Sequence, residues 1–418
     1  MPLFLMWQKI KNIYHLIQAI FANLYYGFPS KKLIVIGVTG TDGKTTTAHM
    51  IYEILKSSGK KVSLISSVFA AIGNKSYDTG FHVTTPDPIA LQGFIKKIAD
   101  NGSKYLILEV TSHGLDQNRV FGVNFEIGIL TNITHEHFDY HKTYDQYLKA
   151  KAKLFKNVKY SILNIGDTSF SRVKELASGK ILTYGKSKKA DINLNNFPIK
   201  LKLLGDYNIQ NALAAAAACS ILGISNQAIF EILENFQGVI GRMEEINLGQ
   251  DFEVIVDFAH TPNALTQALK TLKTKVLFQA KPVSISKNPK SKVIAVFGAA
   301  GLRDRNKRSL MGEAAAKYAD ISILTSEDPR TEKVEDICNQ ISQGLIKNRK
   351  QENRDFYFIY NRTKAIQFAI NLAQKGDIVA TFGKSHEKSM CYGKHEYPWD
   401  EFATVEKALK ERLNNERK

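Results

Sequence analysis

The chain has 418 residues, with 57 Lys plus Arg against 40 Asp plus Glu and a formal charge of +17. Hydrophobic residues at 44% and charged residues at 23% are ordinary for a globular protein, which excludes a disordered tail, a collagen and a coiled-coil rod; the length suits roughly two to three domains. The positive excess favours anionic partners, whether nucleic acid, anionic lipid or phosphorylated and carboxylated small molecules. No aromatic-basic pattern supports the first of these, so nucleic acid is not expected.

Residues 3–26 repeat apolar side chains at helical spacing: Leu3, Trp7, Ile10, Tyr14, Ile17, Phe21 and Leu24, widened by Met6, Ile13 and Ile20. Asn12, His15, Gln18 and Asn23 interrupt the run, so it is a poor membrane span, and no small-residue cleavage pattern marks it as a secretory signal. Two readings follow for this amphipathic helix. Its apolar face packs on the protein's own core, or it lies on a membrane surface with Lys9 and Lys11 among the head groups.

After Pro29 the texture becomes α/β. Leu33–Ile36 is a short β-branched run, followed by a glycine- and threonine-rich turn and a helix carrying Ala48, Ile51, Ile54 and Leu55. Strands are expected at Val62–Ile65, Tyr105–Val110 and Ile127–Leu130, with helices at Pro88–Asp100 and Tyr144–Phe155 between and after them. This alternation predicts an open, mostly parallel sheet covered by helices. The alanine-rich stretch 205–222 predicts a helix that packs closely on a sheet. A second α/β cycle starts near residue 242, with strands at Phe252–Phe258, Lys292–Gly298, Ile321–Leu324 and Ile378–Phe382. A lysine-rich surface loop is expected from Lys281, and the tail from Glu406 reads as a charged, solvated helix. Cys219, Cys338 and Cys391 lie far apart with no C-x-x-C, which argues against a disulfide framework or a zinc site and fits a reducing compartment.

The turn between the first strand and its helix reads Gly37-Val38-Thr39-Gly40-Thr41-Asp42-Gly43-Lys44-Thr45-Thr46-Thr47. Glycines there let backbone N–H groups face phosphate oxygens, and the helix N-terminus adds its positive end. Lys44 can bridge the β- and γ-phosphates, and Thr45 or Thr46 can ligate Mg²⁺.

That loop resembles the nucleotide loop of the Mur ligases, which add amino acids to the peptide of the bacterial cell-wall precursor. The resemblance continues in order along the chain. It runs through Thr84–Pro88, Glu109–Gly114, Thr131–His137, Gly205–Asn211, Gly241–Glu244 and Val256–Pro262. It then continues through Arg303–Arg308, Glu327–Arg330 and Gly383–Glu387. The branch that adds the third peptide residue is the nearest in pattern. The resemblance implies a P-loop-type central ATPase domain (31–241) and a Rossmann-like C-terminal domain that meets the amino acid (242–418), preceded by the helix within 1–30.

It also implies site residues. Gly40, Thr41, Asp42, Gly43, Lys44, Thr45 and Thr46 would hold ATP, with Asn208 and Asn211 near adenine, Arg242 on phosphate, Asp257 on ribose and His260 beside the nucleotide. Lys44, Glu109, His137 and Lys151 would be catalytic, and Thr45, Glu109, His137 and Lys151 would serve Mg²⁺. Lys151 matches the lysine that the family carbamylates with CO₂. The chemistry is sensible, because a carbamate turns a metal-repelling ammonium into a carboxylate-like ligand. Thr84, Thr85, Thr111, Gln117 and Arg119 would hold the muramoyl-peptide. Arg303, Glu327, Asp328, Arg330, Gly383 and Glu387 would hold the incoming amino acid. Asp328 stands where an Asn is associated with diaminopimelate specificity, and Ser385 replaces a usual Gly.

The expected activity is ATP-driven amide formation, adding a diamino acid such as meso-diaminopimelate or lysine to a muramoyl-L-Ala-D-Glu acceptor. The alternatives are a folylpolyglutamate-synthase-like ligase on another acceptor and a non-catalytic nucleotide-binding scaffold. Only 36 residues precede Gly37, where the family branch carries about a hundred, a domain-sized unit. The expectation is therefore a weakly held uridine nucleotide, a partner that supplies the uridine-binding domain, or an acceptor that is not UDP-linked. The expected location is the cytoplasm, with or without membrane association.

Overall fold

The computed structural model describes residues 3–78, 84–279 and 291–416; the side chains of residues 3–7 and 279 lie outside that description. The chain divides into two compact units. The first holds residues up to Thr134 and His141–Gln237, and the second holds His135–Tyr140 and everything from Gly238.

The first unit is built on an eight-stranded sheet. Its strands are β1 (Ile34–Thr39), β2 (Val62–Ile65), β3 (Ala70–Ile72), β4 (Lys75–Tyr77), β5 (Tyr105–Glu109), β6 (Phe125–Leu130), β7 (Tyr160–Asn164) and β8 (Lys180–Tyr184). Their order is β4-β3-β2-β5-β1-β6-β7-β8. All pairs from β2 to β8 are parallel, and β3 and β4 extend one edge as antiparallel strands. The chain leaves β1 toward β5 on one side and reaches β6 on the other. The carboxyl end of β1 is therefore a topological switch point, where open α/β sheets bind ligands. β1 and β5 are buried strands with apolar side chains on both faces, as a helix-covered parallel sheet requires.

The alanine-rich helix Asp206–Ile221 has Ala212–Ala218 fully buried. Its small side chains let it pack against the helix Lys44–Ser57 as well as against β6, β7 and β8. The expected sheet packing is thus only part of its role. The helix expected over Tyr144–Phe155 ends at Ala152 and tightens into a 3₁₀ turn, Lys153–Phe155.

The N-terminal helix Leu3–Tyr26 belongs to this unit, and its packing corrects the first of the two readings above. It docks through polar and small residues. Gln8 and Asn12 donate to Asp116 Oδ2 at 3.4 and 3.3 Å, Asn23 Nδ2 donates to the Phe121 carbonyl at 2.9 Å, and Ala19 and Ala22 are buried. Ile10, Ile13, Tyr14, Ile17, Ile20, Phe21 and Leu24 face solvent. The apolar stripe is therefore not the face that packs.

The second unit has a six-stranded sheet and a two-stranded hairpin. The sheet strands are β9 (Glu244–Glu245), β10 (Glu253–Asp257), β11 (Val293–Phe297), β12 (Ile321–Leu324), β13 (Phe356–Phe358) and β14 (Ile378–Phe382). The hairpin is β15 (Ser389–Tyr392) and β16 (His395–Pro398). The sheet order is β13-β12-β11-β14-β10-β9, parallel except for β9. Alternation along the strands feeds two cores. Val293, Ala295 and Phe297 of β11 enter one with Ile378, Ala380 and Phe382 of β14, while Ile294, Val296 and Val379 enter the other.

The last helix, Glu401–Glu416, corrects the expectation of a solvated tail. Val405, Ala408 and Leu409 are buried in the second core. The buried Glu401 also takes a two-bond ion pair from Arg362, at 2.9 and 2.7 Å. The basic loop expected from Lys281 lies, up to Lys290, outside the described residues.

Candidate active site

The glycine-rich turn follows β1 at the switch point and is clamped from β6. Thr41 N donates to the Asn132 carbonyl at 2.8 Å and Asp42 N to Asn132 Oδ1 at 3.0 Å. The Thr131 hydroxyl donates to the Asp42 carbonyl at 2.7 Å, and Tyr147 Oη lies 3.1 Å from Thr41 Oγ1. Gly40 (φ 153°) and Gly43 (φ 81°) occupy backbone that favours glycine, and each is crowded. A Cβ on Gly40 would lie 1.8 Å from Thr131 Oγ1, and one on Gly43 would lie 2.3 Å from Asn211 Oδ1. Glycine is thus required twice, for conformation and for space.

Lys44 Nζ donates to the Thr41 carbonyl at 2.8 Å, folding the side chain back over its own loop. Thr45 Oγ1 lies 3.1 Å from both carboxylate oxygens of Glu109, and Ser67 N donates to Glu109 Oε2 at 3.0 Å. Val38 pairs with Glu109 across β1 and β5, so the sheet register brings the carboxylate to the end of β1, from which the turn leads to Thr45. A hydroxyl and a carboxylate beside a glycine cradle suit Mg²⁺, which keeps several waters and takes one or two carboxylates plus phosphate oxygens. The residues therefore fit a magnesium nucleotide, although no cluster of three or more His, Cys, Asp or Glu suited to a metal exists among the described residues. Thr46 is buried at the start of the same helix.

Burial separates the three lysines of the next motif. Lys149 pairs with Asp145 at the surface and Lys153 with Asp116, whereas Lys151 is 2% exposed. Its ammonium donates to the Gly40 carbonyl at 2.5 Å and sits 4.5 Å from the centre of the Tyr147 ring. Lys151 thus touches the glycine-rich turn directly. Nearby His141 is pushed down to about 4, chiefly by burial, with Lys151 adding to the effect against Asp116. Asn211 Nδ2 donates to Asn208 Oδ1 at 3.3 Å, which puts both asparagines behind Gly43.

The residues expected on the muramoyl-peptide form a second group in the same unit. Thr85 Oγ1 lies 3.1 Å from Thr111 Oγ1 and accepts from Thr111 N at 3.0 Å. Arg119 donates to Gln117 Oε1 at 2.9 Å and to the Thr85 carbonyl at 3.1 Å. Thr111 also caps the helix Ser112–Asp116 by accepting from Gly114 N. Thr84 precedes Thr85 and is half-buried.

In the second unit the expected residues gather after the carboxyl ends of β10, β11, β12 and β14. Asp257 accepts from Met243 N and Ala259 N, both at 2.7 Å, so its carboxylate also braces the turn. The Arg242 guanidinium lies 4.7 Å over the Phe258 ring, which is 4.7 Å from His260 and 5.0 Å from His386. Burial pushes His260 down to about 3, with Lys307 reinforcing it. His137, in the segment that clusters with this unit, has φ 59° and its Nδ1 lies 3.8 Å from Glu136 Oε1.

Lys384 is fully buried and ties Asp328 (2.7 Å) to Glu387 (2.8 Å). Asp328 also accepts from Cys391 N, which anchors β15. The charge that Asp328 adds over an asparagine therefore has a buried cation to meet it. Glu327 is pushed up to about 7 by burial, against the pull of Lys307 and Arg362. Its Oε2 has no hydrogen-bond partner among the described residues, and a Cβ on Gly383 would lie 2.2 Å from that oxygen. Arg330 (φ 52°) donates to the Gly301 carbonyl at 2.6 Å, and burial lowers the pKa of half-buried Arg303, with Arg330 reinforcing it.

The Mur ligase middle domain matches residues 38–219, and the Mur ligase glutamate ligase domain matches 241–385. The chain is 37% identical over 421 residues to the UDP-N-acetylmuramoyl-L-alanyl-D-glutamate–2,6-diaminopimelate ligase of Geobacillus thermodenitrificans, covering 94% of this chain and 82% of that protein. The chain belongs to the Mur ligase family. It is also 38% identical over 416 residues to the UDP-N-acetylmuramyl-tripeptide synthetase of Borreliella burgdorferi, covering 93% and 79%. A solved UDP-N-acetylmuramoyl-L-alanyl-D-glutamate–2,6-diaminopimelate ligase matches with a TM-score of 0.58 at 32% identity, covering 91% of this chain and 79% of that one.

Sequence reasoning missed Asn132, Tyr147, Lys307, Arg362 and Lys384 as parts of these groups. Asn132, Lys307 and Lys384 sit inside motifs named above and carried a signal. Tyr147 and Arg362 carried none, because their partners are brought to them only by the fold.

Proposed function

We propose that this Mur ligase family member is an ATP-dependent amide ligase that adds a diamino acid to a muramoyl-L-Ala-D-Glu acceptor. The observation that carries the reading is the Thr45–Glu109 pair beside the Gly40 and Gly43 cradle, together with relatives named for that reaction.

The acceptor carboxylate oxygen attacks the γ-phosphorus, the bond to the β-phosphate oxygen breaks, and ADP leaves. The amine nitrogen then attacks the acyl carbon, phosphate departs, and the amine releases its proton. The first step brings like charges together. Two unit charges about 4 Å apart repel by roughly 4 kcal/mol at an effective dielectric near 20. Lys44 offsets this by turning from the Thr41 carbonyl to phosphate oxygens. Thr45 and Glu109 would hold Mg²⁺, which would supply further neutralisation. Arg119, held by Gln117 and Thr85, reads an acceptor carboxylate or phosphate.

On the amino-acid side, Arg330 reads a distal carboxylate. The uncommitted Glu327 Oε2 accepts from an ammonium, and Lys384 keeps Asp328 and Glu387 in place. Lys151 is the carbamate site, because its ammonium already reaches the loop that a metal-binding carbamate would serve. Incorporation of ¹³C-bicarbonate, lost in Lys151→Met, checks that assignment. The proposed dependence on ATP supports a cytoplasmic location.

The deciding experiment is ADP release by the full chain with UDP-muramoyl-L-Ala-D-Glu plus diaminopimelate or lysine, with products read by mass spectrometry. Turnover that needs both substrates supports the reading. Turnover on a folate acceptor alone, or none with any acceptor, overturns it.

A further inference from the structure

The N-terminal helix presents to solvent the face that an amphipathic helix ordinarily buries. Ile10, Ile13, Tyr14, Ile17, Ile20, Phe21, Leu24 and Tyr25 are between 42% (Ile20) and 73% (Tyr25) exposed. At about 100° per residue they fall in one stripe roughly 140° wide. Gln8, Asn12, Ala19, Ala22, Asn23 and Tyr26 occupy the opposite side, which is the side docked on the first unit. An unpartnered apolar stripe on an otherwise docked helix marks an interaction surface.

Charge identifies the occupant. Lys9 and Lys11 are exposed and fall about 90–110° to either side of the stripe's centre, and exposed Lys31 and Lys32 follow the helix. Asp42 is the first carboxylate in the chain. Apolar centre, lysines on both flanks and tyrosines in the stripe are the pattern of a helix lying in a bilayer interface. A second copy of this chain would bring the same lysine rims together and repel. No described helix is long and apolar enough to cross a membrane, so the helix would lie on the surface.

We infer that the face Ile10–Tyr25 docks on an anionic lipid surface, in the membrane plane, with Lys9, Lys11, Lys31 and Lys32 at the head groups. The inference is independent of the ligase reading, since it concerns residues outside the nucleotide and substrate groups.

The test is co-sedimentation of the full chain with vesicles of phosphatidylcholine, alone or mixed with phosphatidylglycerol, together with light scattering in the absence of lipid. Binding is expected to the anionic vesicles and to fall with salt. Ile17→Glu with Phe21→Glu should weaken it at least 100-fold, through loss of two apolar insertions. Lys9→Gln and Lys11→Gln should each weaken it about five-fold. The glutamates would face water in the free protein, so the melting temperature should hold, which separates lost binding from lost folding. Three results would overturn the inference: no vesicle binding by the unaltered chain, binding indifferent to the stripe variant, or a dimer that the stripe variant dissociates in the absence of lipid binding.

Discussion

Replacing Gly43 by alanine tests whether the glycine cradle is set by steric demand. Two costs are separable. The backbone at φ 81° disfavours a side chain, by about 1–2 kcal/mol. The new methyl would also lie 2.3 Å from Asn211 Oδ1 and 3.2 Å from its Cγ, and overpacking of this kind costs about 1–3 kcal/mol. Together they total roughly 2–5 kcal/mol, a drop of about 7–14 °C in the melting of the first unit at the midpoint of that range. Asn211→Ala removes the obstacle and forfeits the weak bonds to Thr47 and Asn208. Adding Gly43→Ala to that background should then cost only the backbone part, about 3–6 °C at its midpoint. Differential scanning calorimetry on the four proteins closes the double-mutant cycle. Titration calorimetry with Mg-ADP should show the same rescue in affinity. A Gly43→Ala protein that melts and binds like the parent, or a deficit that Asn211→Ala leaves untouched, refutes the steric account.

Three further outcomes are expected. Lys44→Ala should lower turnover by roughly 10²–10³-fold, as removal of a charge-stabilising donor does, while melting stays near that of the parent; undiminished turnover would remove Lys44 from the phosphate. Glu327 binds its proton more tightly folded (about 7) than unfolded, so its contribution is fully present below about pH 4.5. It is lost as pH rises through 7, by about 3 kcal/mol, and Glu327→Gln should flatten that fall in calorimetry between pH 5 and 8. Arg330→Ala should raise the KM for diaminopimelate at least ten-fold and that for lysine far less, and an unchanged preference between the two would show that Arg330 does not read the distal carboxylate.

The short central strands of both sheets were legible because their signals are local. Val62–Ile65, Ile321–Leu324 and Ile378–Phe382 are short apolar runs ended by breakers, and the observed strands keep those limits. β3 and β4 were not legible. They are three-residue edge strands whose pairing is decided by β2, and Lys75–Tyr77 carries no apolar alternation. The last helix was misjudged because a charged sequence hides a narrow stripe; Val405, Ala408 and Leu409 suffice to bury one side. The N-terminal helix shows the opposite case. A packing face was one of two readings of its apolar periodicity, yet asparagines and alanines make the contact.

The candidate site divides along the same line. Lys44, Thr45 and Gly43 are neighbours in sequence, so the turn that joins them could be read directly. Glu109 reaches Thr45 only through the pairing of β5 with β1, and its placement at the end of a strand was the legible half of that fact. Lys151 was named by its match to the family, and burial sets it apart from its neighbours Lys149 and Lys153. Tyr147, one helical turn before it, could not be found this way. A tyrosine on a helix reads as core, and only the fold shows its hydroxyl at 3.1 Å from Thr41 and its ring against the Lys151 ammonium. One helix face thus carries both the lysine that reaches the loop and the phenol that fixes the loop. A change at Tyr147 should therefore disturb Gly40 and Thr41 together, which neither residue's own sequence neighbourhood would suggest.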